Sequence, residues 1–167
     1  IVTHKLNPKN IKIAQREALM WGTVQQDAIT FGNILHEIMA FIHTKDDVDL
    51  AIQKATELGL ITFSQHQIFK ETIAKIVNHE ELIPFFDANA KVFNEQNIIK
   101  KAFKNIKPDR VVVKDNMAYL LDYKTGEKHN KHKAQLEEYE LALQEMKYTV
   151  AKKALIYIGE SIEIVTL

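Results

Sequence analysis

The sequence predicts a mixed α/β (α+β) domain, a mixed central sheet flanked by helices with a helical N-terminal region. Three observations carry that expectation. Helical periodicity fills the first 90 residues, strand-like runs dominate after them, and one further helical stretch separates two pairs of those runs. At 167 residues and 46% apolar composition, a single domain over 1–167 with a sizeable core is expected.

Lys9 to Trp21 places Ile11, Ala14, Ala18 and Trp21 at helical spacing. Ala28 to Ile42 is longer and more apolar, with Phe31, Ile34, Leu35, Ile38 and Phe41 forming a wide stripe suited to burial. Asp46 or Asp47 can cap a third helix, and Gly59 supplies its stop. Ser64 with Gln67 reads as a capping box for a fourth helix to about His79, and Pro84 reads as the break after it. Beyond residue 90, Lys91 to Glu95 and Asn97 to Lys101 suggest short strands. Residues 107–124 form a hairpin, Lys131 to Met146 returns to a helix, and Val150 to Ile158 and Ser161 to Leu167 close the chain as strands around Gly159-Glu160.

Composition narrows the chemistry. The chain has no cysteine, which excludes disulfides, thiolate zinc, an iron–sulfur cluster and a cysteine nucleophile, and fits a reducing compartment. No apolar run approaches a membrane span, so the expectation is a cytoplasmic protein with no membrane partner. Net charge is zero, yet residues 91–133 hold 11 Lys/Arg against 5 Asp/Glu. That segment could present a phosphate-binding face or a solvated lysine-rich surface.

The hairpin KPDRVVVKDNMAYLLDYKTG carries charge inside an apolar, partly β-branched frame. If Asp115 and Asn116 form a two-residue loop, Lys114 pairs with Met117, and the same register sets Asp109 opposite Asp122 on one face, with Lys124 projecting from that face two residues on. Two carboxylates about 5 Å apart repel by roughly 3 kcal/mol at an effective dielectric near 20. A hard divalent cation between them would relieve this, and oxygen ligands select Mg²⁺ or Mn²⁺. The plainer alternative is an edge hairpin whose Asp109 pairs with Arg110 or Lys124.

Pro108-Asp109, twelve intervening residues and Asp122-Tyr123-Lys124 together resemble the PD-(D/E)XK nuclease superfamily. Asp122-Tyr123-Lys124-Thr125-Gly126 followed by Gln135-Leu136-Glu137-Glu138-Tyr139 is similar to the DYKTG and QxxxY elements of its RecB-like branch. Gly32-Asn33-Ile34-Leu35-His36 resembles that branch's GxxxH element, and Glu95 sits where the family often has a glutamate on the preceding strand. The resemblance spans residues 32–139. Pro108 departs from the glycine common in RecB-like nucleases, but it restores the superfamily's namesake dipeptide. The helical region before Glu95, including Gly59-Leu60-Ile61-Thr62, looks most like the C-terminal nuclease domain of RecB or AddA helicase-nucleases, and the start on Ile1 fits a fragment of a larger protein.

The resemblance implies a restriction-endonuclease-like core and a Mg²⁺- or Mn²⁺-dependent deoxyribonuclease without an iron–sulfur cluster. It further implies an exonuclease module serving DNA repair or recombination beside a helicase motor in the same polypeptide or complex. It assigns Asp109, Asp122 and Lys124 to catalysis, and His36, Asp109, Asp122 and the Tyr123 backbone carbonyl to the metal. By position alone His36 reads as a satisfied core histidine, but Gly32 one turn earlier leaves a gap where a strand or metal site can approach. Glu95 is either a further ligand or an exposed strand carboxylate. Gln135 and Tyr139 share a helix face and either contact DNA or support the site. Lys128, His129, Lys131, His132 and Lys133 read as a basic loop that either meets the DNA backbone or is merely solvated. The same fold could also serve as a catalytically silent DNA-binding or scaffolding module.

Overall fold

The structure, a computed structural model, describes residues 24–99, 105–159 and 161–167. The helix expected over Lys9 to Trp21 lies outside those residues, as do Lys100 and Lys101 of the second expected strand and Glu160 of the final turn. The described part is mixed α/β, a five-stranded mixed sheet flanked by helices.

Three helices come first: α1 (Val24–Met39), α2 (Val48–Glu57) and α3 (His66–Val77). Their apolar faces converge, with Leu35, Ile38, Met39, Ile52, Ala55, Phe69, Ile73 and Ile76 in one core. Asp47 occupies the N-cap position of α2, but its carboxylate turns back to accept from the amides of His43 (3.0 Å) and Thr44 (2.7 Å). It therefore caps the short 3₁₀ segment Lys45–Asp47 rather than the helix that follows. Gly59 ends the α2 region at φ +73°, a left-handed conformation that a side chain would strain.

Two local expectations are corrected. The capping box before α3 is Thr62 with Gln65, whose Oε1 accepts from the Thr62 amide at 2.8 Å, not Ser64 with Gln67. The same S/T-x-x-Q pattern occurs twice, two residues apart. Pro84 does not break the helical run at its own position, because it sits inside a 3₁₀ segment, Glu80–Phe86, that buries Leu82, Phe85 and Phe86.

The strands follow as β1 (Lys91–Asn94), β2 (Ile98–Ile99), β3 (Asn105–Ile106), β4 (Arg110–Lys114) and β5 (Met117–Thr125). Then come α4 (Asn130–Glu145), β6 (Thr149–Ile158) and β7 (Ile162–Thr166). The main sheet runs β1-β4-β5-β6-β7, with β2 and β3 forming a separate pair. Lys114 pairs with Met117, and Asp115 and Asn116 take φ +49° and +63°. Positive φ at both central residues is what a two-residue type I′ hairpin loop requires, and Asp and Asn tolerate it. The remaining pairings, Val113 with Ala118 down to Arg110 with Leu121, keep the expected register.

β5 and β6 are parallel, so the chain between them must cross over the sheet, and α4 is that crossover. Alternation then divides β5. Leu121 and Tyr123 face α1–α3, while Ala118 and Leu120 face α4 with Leu136, Tyr139 and Leu143. Asp122 and Lys124 share the α4 face, toward the C-terminal end of the strand.

Candidate functional site

Three chain segments meet at the C-terminal end of β5. The first is α1, which brings His36. Its approach depends on Gly32, because a Cβ there would lie 2.5 Å from Thr125 Cγ2 and 3.3 Å from Ile158 Cγ2. The absent side chain lets α1 settle onto the ends of β5 and β6, and His36 follows one turn on.

The second segment is the end of β1. Asn94 pairs with Arg110, and the next residue, Glu95, donates its amide to the Asp109 carbonyl at 2.9 Å. Glu95 holds φ +54°, a strained conformation for a residue with a long side chain, at a cost of about 1 kcal/mol. The third segment carries Asp109 itself, whose Oδ2 accepts from the Tyr123 amide at 2.7 Å. That bond fixes the carboxylate and aims its other oxygen at α1.

His36 Nε2 thus lies 2.9 Å from Glu95 Oε1 and 3.1 Å from Asp109 Oδ1. One ligand atom from each of His36, Glu95 and Asp109 falls within 4.8 Å of the others. Two observations fit this group to a divalent cation. His36 Nε2 is buried yet makes no well-directed hydrogen bond to either oxygen, so one nitrogen and two oxygens point at common ground. The donors are also one imidazole and two carboxylates, groups of the kind that hold divalent metal ions. Burial pulls the His36 pKa down, but its close side-chain contact with Asp109, and then the charges of Asp109, Glu95 and Asp122, outweigh it and leave the imidazole above its ordinary range.

Asp122 adjoins this group without joining it. It is 2% exposed, and its Oδ2 lies 2.5 Å from Lys124 Nζ. Burial and then the Asp109 charge push its pKa up to about 6 against the pull of Lys124. Lys124 thus pairs with Asp122, not with Asp109 as the plainer alternative for the hairpin has it. Lys124 Nζ also donates to Gln135 Oε1 at 2.7 Å, Gln135 Nε2 donates to Tyr139 Oη at 2.5 Å, and Tyr139 Oη donates to the Lys107 carbonyl at 3.4 Å. Gln135 and Tyr139 therefore hold the lysine in place from α4. Burial raises the Tyr139 pKa to about 12, so the phenol keeps its proton.

The Tyr123 ring packs beside His36, with centroids 5.5 Å apart, and its buried hydroxyl has no hydrogen-bond partner among the described residues. Its amide bond to Asp109 is the contact that the residue contributes directly. Lys128 ion-pairs with Glu163 and lies over the Tyr157 ring, and Lys131 is exposed. The basic stretch is not a loop throughout, because Lys131, His132 and Lys133 lie in the first turns of α4. His132 is buried there against the Tyr157 hydroxyl, with Nδ1 at 3.2 Å.

Sequence reasoning missed two residues. Arg110 does not pair with Asp109: it is 1% exposed and turns to the opposite face of the sheet. Its Nε donates to the Phe85 carbonyl (2.8 Å), Nη1 to the Ile42 carbonyl (2.6 Å) and Asn94 Oδ1 (3.0 Å), and Nη2 to the His43 carbonyl (2.6 Å). Asn94 in turn donates to the carbonyls of Ala40 and Ile42. This network binds the segments that carry His36, Glu95 and Asp109 to one another from beneath. The second is Lys107, whose ammonium ion-pairs with Glu95 Oε2. Closeness in sequence to Asp109, one residue away for Arg110 and two for Lys107, was the sole sequence signal for either residue. No family model and no curated protein matches the chain.

Proposed function

We propose that the chain is a metal-dependent phosphodiester hydrolase acting on DNA, an exonuclease module of the RecB-like PD-(D/E)XK kind with a restriction-endonuclease-like core. In this reading it works in the cytoplasm beside a helicase motor in repair or recombination. One observation carries the reading: a three-residue ligand group, His36–Glu95–Asp109, stands beside a buried Asp122–Lys124 pair whose lysine is held by Gln135. A carboxylate–lysine pair clamped against a metal-competent cluster at one sheet end is a costly arrangement without a reaction to serve.

His36, Glu95 and Asp109 would hold the cation, with Asp122 and the Tyr123 carbonyl as further oxygens. Mg²⁺ or Mn²⁺ there would supply a water activated near neutral pH and charge to offset the phosphoryl oxygens. The chain's own residues do the rest. Lys124 presents a compact positive charge to the developing negative charge of the scissile phosphate. Gln135 keeps its ammonium from swinging away, and Tyr139 keeps Gln135 in register. Lys128 and Lys131, near the start of α4, would meet backbone phosphates flanking the site.

The test compares the chain with Asp122→Ala and Lys124→Ala on end-labelled single- and double-stranded DNA in Mg²⁺, Mn²⁺ or EDTA. The reading expects cation-dependent degradation that both variants lose. Mn²⁺ binding with no cleavage under any condition would leave a silent binding module. The absence of both Mn²⁺ binding and cleavage would refute the reading.

A further inference from the structure

We propose that Lys107 is a phosphate-contacting residue held in reserve, its ammonium latched to Glu95 until a divalent cation takes that carboxylate and frees the lysine for the DNA backbone. The inference rests on the metal-dependent reading above and adds to it a second cation with a different duty.

The two ammonium groups at the site are held unequally. Lys124 is 17% exposed and has two partners, Asp122 Oδ2 and Gln135 Oε1, so it is fixed. Lys107 is 51% exposed, and among the described residues its ammonium has one partner, Glu95 Oε2. The other Glu95 oxygen faces His36 Nε2 at 2.9 Å. A cation seated among His36, Glu95 and Asp109 would therefore draw on the very carboxylate that holds Lys107. It would also place a double positive charge where the ammonium now finds two negative neighbours, Glu95 and Asp109.

The backbone of Lys107 would not follow its side chain. Its carbonyl accepts from Tyr139 Oη, and the next residue, Pro108, is buried. Release is thus a swing of a flexible four-carbon stem about a fixed Cα, which keeps the charge at the mouth of the site. Lys107 pairs with Glu95 and Lys124 with Asp122, so the cluster offers two separate ammonium groups to a bound strand.

The latch predicts effects of opposite sign on two ligands. Lys107→Met, which keeps the stem and removes the charge, should bind Mn²⁺ several-fold more tightly by calorimetry, because a competitor for Glu95 is gone. The same variant should bind a short labelled oligonucleotide several-fold more weakly in Ca²⁺, with its salt slope reduced by about one, yet match the parent chain in EDTA. Glu95→Gln supplies a metal-free check: it should raise oligonucleotide affinity in EDTA, and Glu95→Gln with Lys107→Met should not. Unchanged or weaker Mn²⁺ binding in Lys107→Met would overturn the latch, as would an equal loss of DNA affinity with and without cation, or a gain that survives in the double variant. A parent chain that binds no Mn²⁺ sinks the metal reading and the latch together. A parent chain that binds Mn²⁺ and cleaves, with Lys107→Met unaltered in both affinities, sinks the latch alone.

Discussion

Replacing Asp122 with asparagine should stabilise the metal-free protein at neutral pH, against the usual expectation for a buried charged group that has a partner. Asp122 is 2% exposed, and its pKa is pushed up to about 6 from an ordinary 3.8 by burial and by Asp109. A carboxyl whose folded pKa exceeds its unfolded one takes up protons on folding. Its charge therefore destabilises the fold above both values and has no effect below both. The gap of roughly two pKa units corresponds to about 3 kcal/mol at pH 7.5. That figure already includes the pull of Lys124, because protonation and the Asp122→Asn change both leave the lysine in place. In a domain of this size the gain is a rise in Tm of roughly 6–12 °C. Denaturant midpoints of both proteins in EDTA from pH 3.5 to 8 would measure it. The curves should coincide near pH 3.5, separate between pH 4 and 6, and stay about 3 kcal/mol apart above. Saturating Mn²⁺ should narrow the gap, since binding stabilises the parent by about 2.7 kcal/mol at a hundredfold excess over Kd and the variant by less. Equal stability at pH 7.5, or a difference that does not change with pH, would refute the electrostatic account of the site.

Two further substitutions probe how the site is held. Gly32→Ala puts a methyl 2.5 Å from Thr125 Cγ2 and should cost about 1–3 kcal/mol, measured by urea denaturation; it should also weaken Mn²⁺ binding by moving α1 and with it His36. An unaltered midpoint and unaltered affinity would show that α1 does not rest on β5 and β6 as described. Arg110→Met removes four hydrogen bonds in a buried setting and should cost at least about 3 kcal/mol, with amide exchange accelerating first around His43, Asn94 and Asp109. A loss under 1 kcal/mol would remove Arg110 from its role as the tie beneath the ligand group.

The hairpin was legible because its determinants are local. Asp115 and Asn116 accept positive φ, a two-residue loop fixes the register, and period two then puts Asp122 and Lys124 on one face. Gly32 was legible as a gap for the same reason: a missing side chain one turn before His36 is a property of the helix itself. The capping box was misread because Thr62–Gln65 and Ser64–Gln67 satisfy the same rule, and two overlapping matches leave the local pattern without a winner. Arg110 was unreadable: its four acceptors lie at Ile42, His43, Phe85 and Asn94, none of them a neighbour in sequence.

By itself, then, the sequence determined the mixed α/β class, the β4–β5 register and the identity of the charged residues placed at one strand end. Each of these depends on interactions within a turn, a strand pair or a helix face, and such interactions are written in spacing. Tertiary structure alone decided which carboxylates share the histidine. His36, Glu95 and Asp109 meet because β1 pairs with β4 and α1 lies on the sheet over Gly32, and Asp122 goes to Lys124 on the other side. Partners of that kind are chosen by packing between segments far apart in the chain, and local spacing carries no record of it.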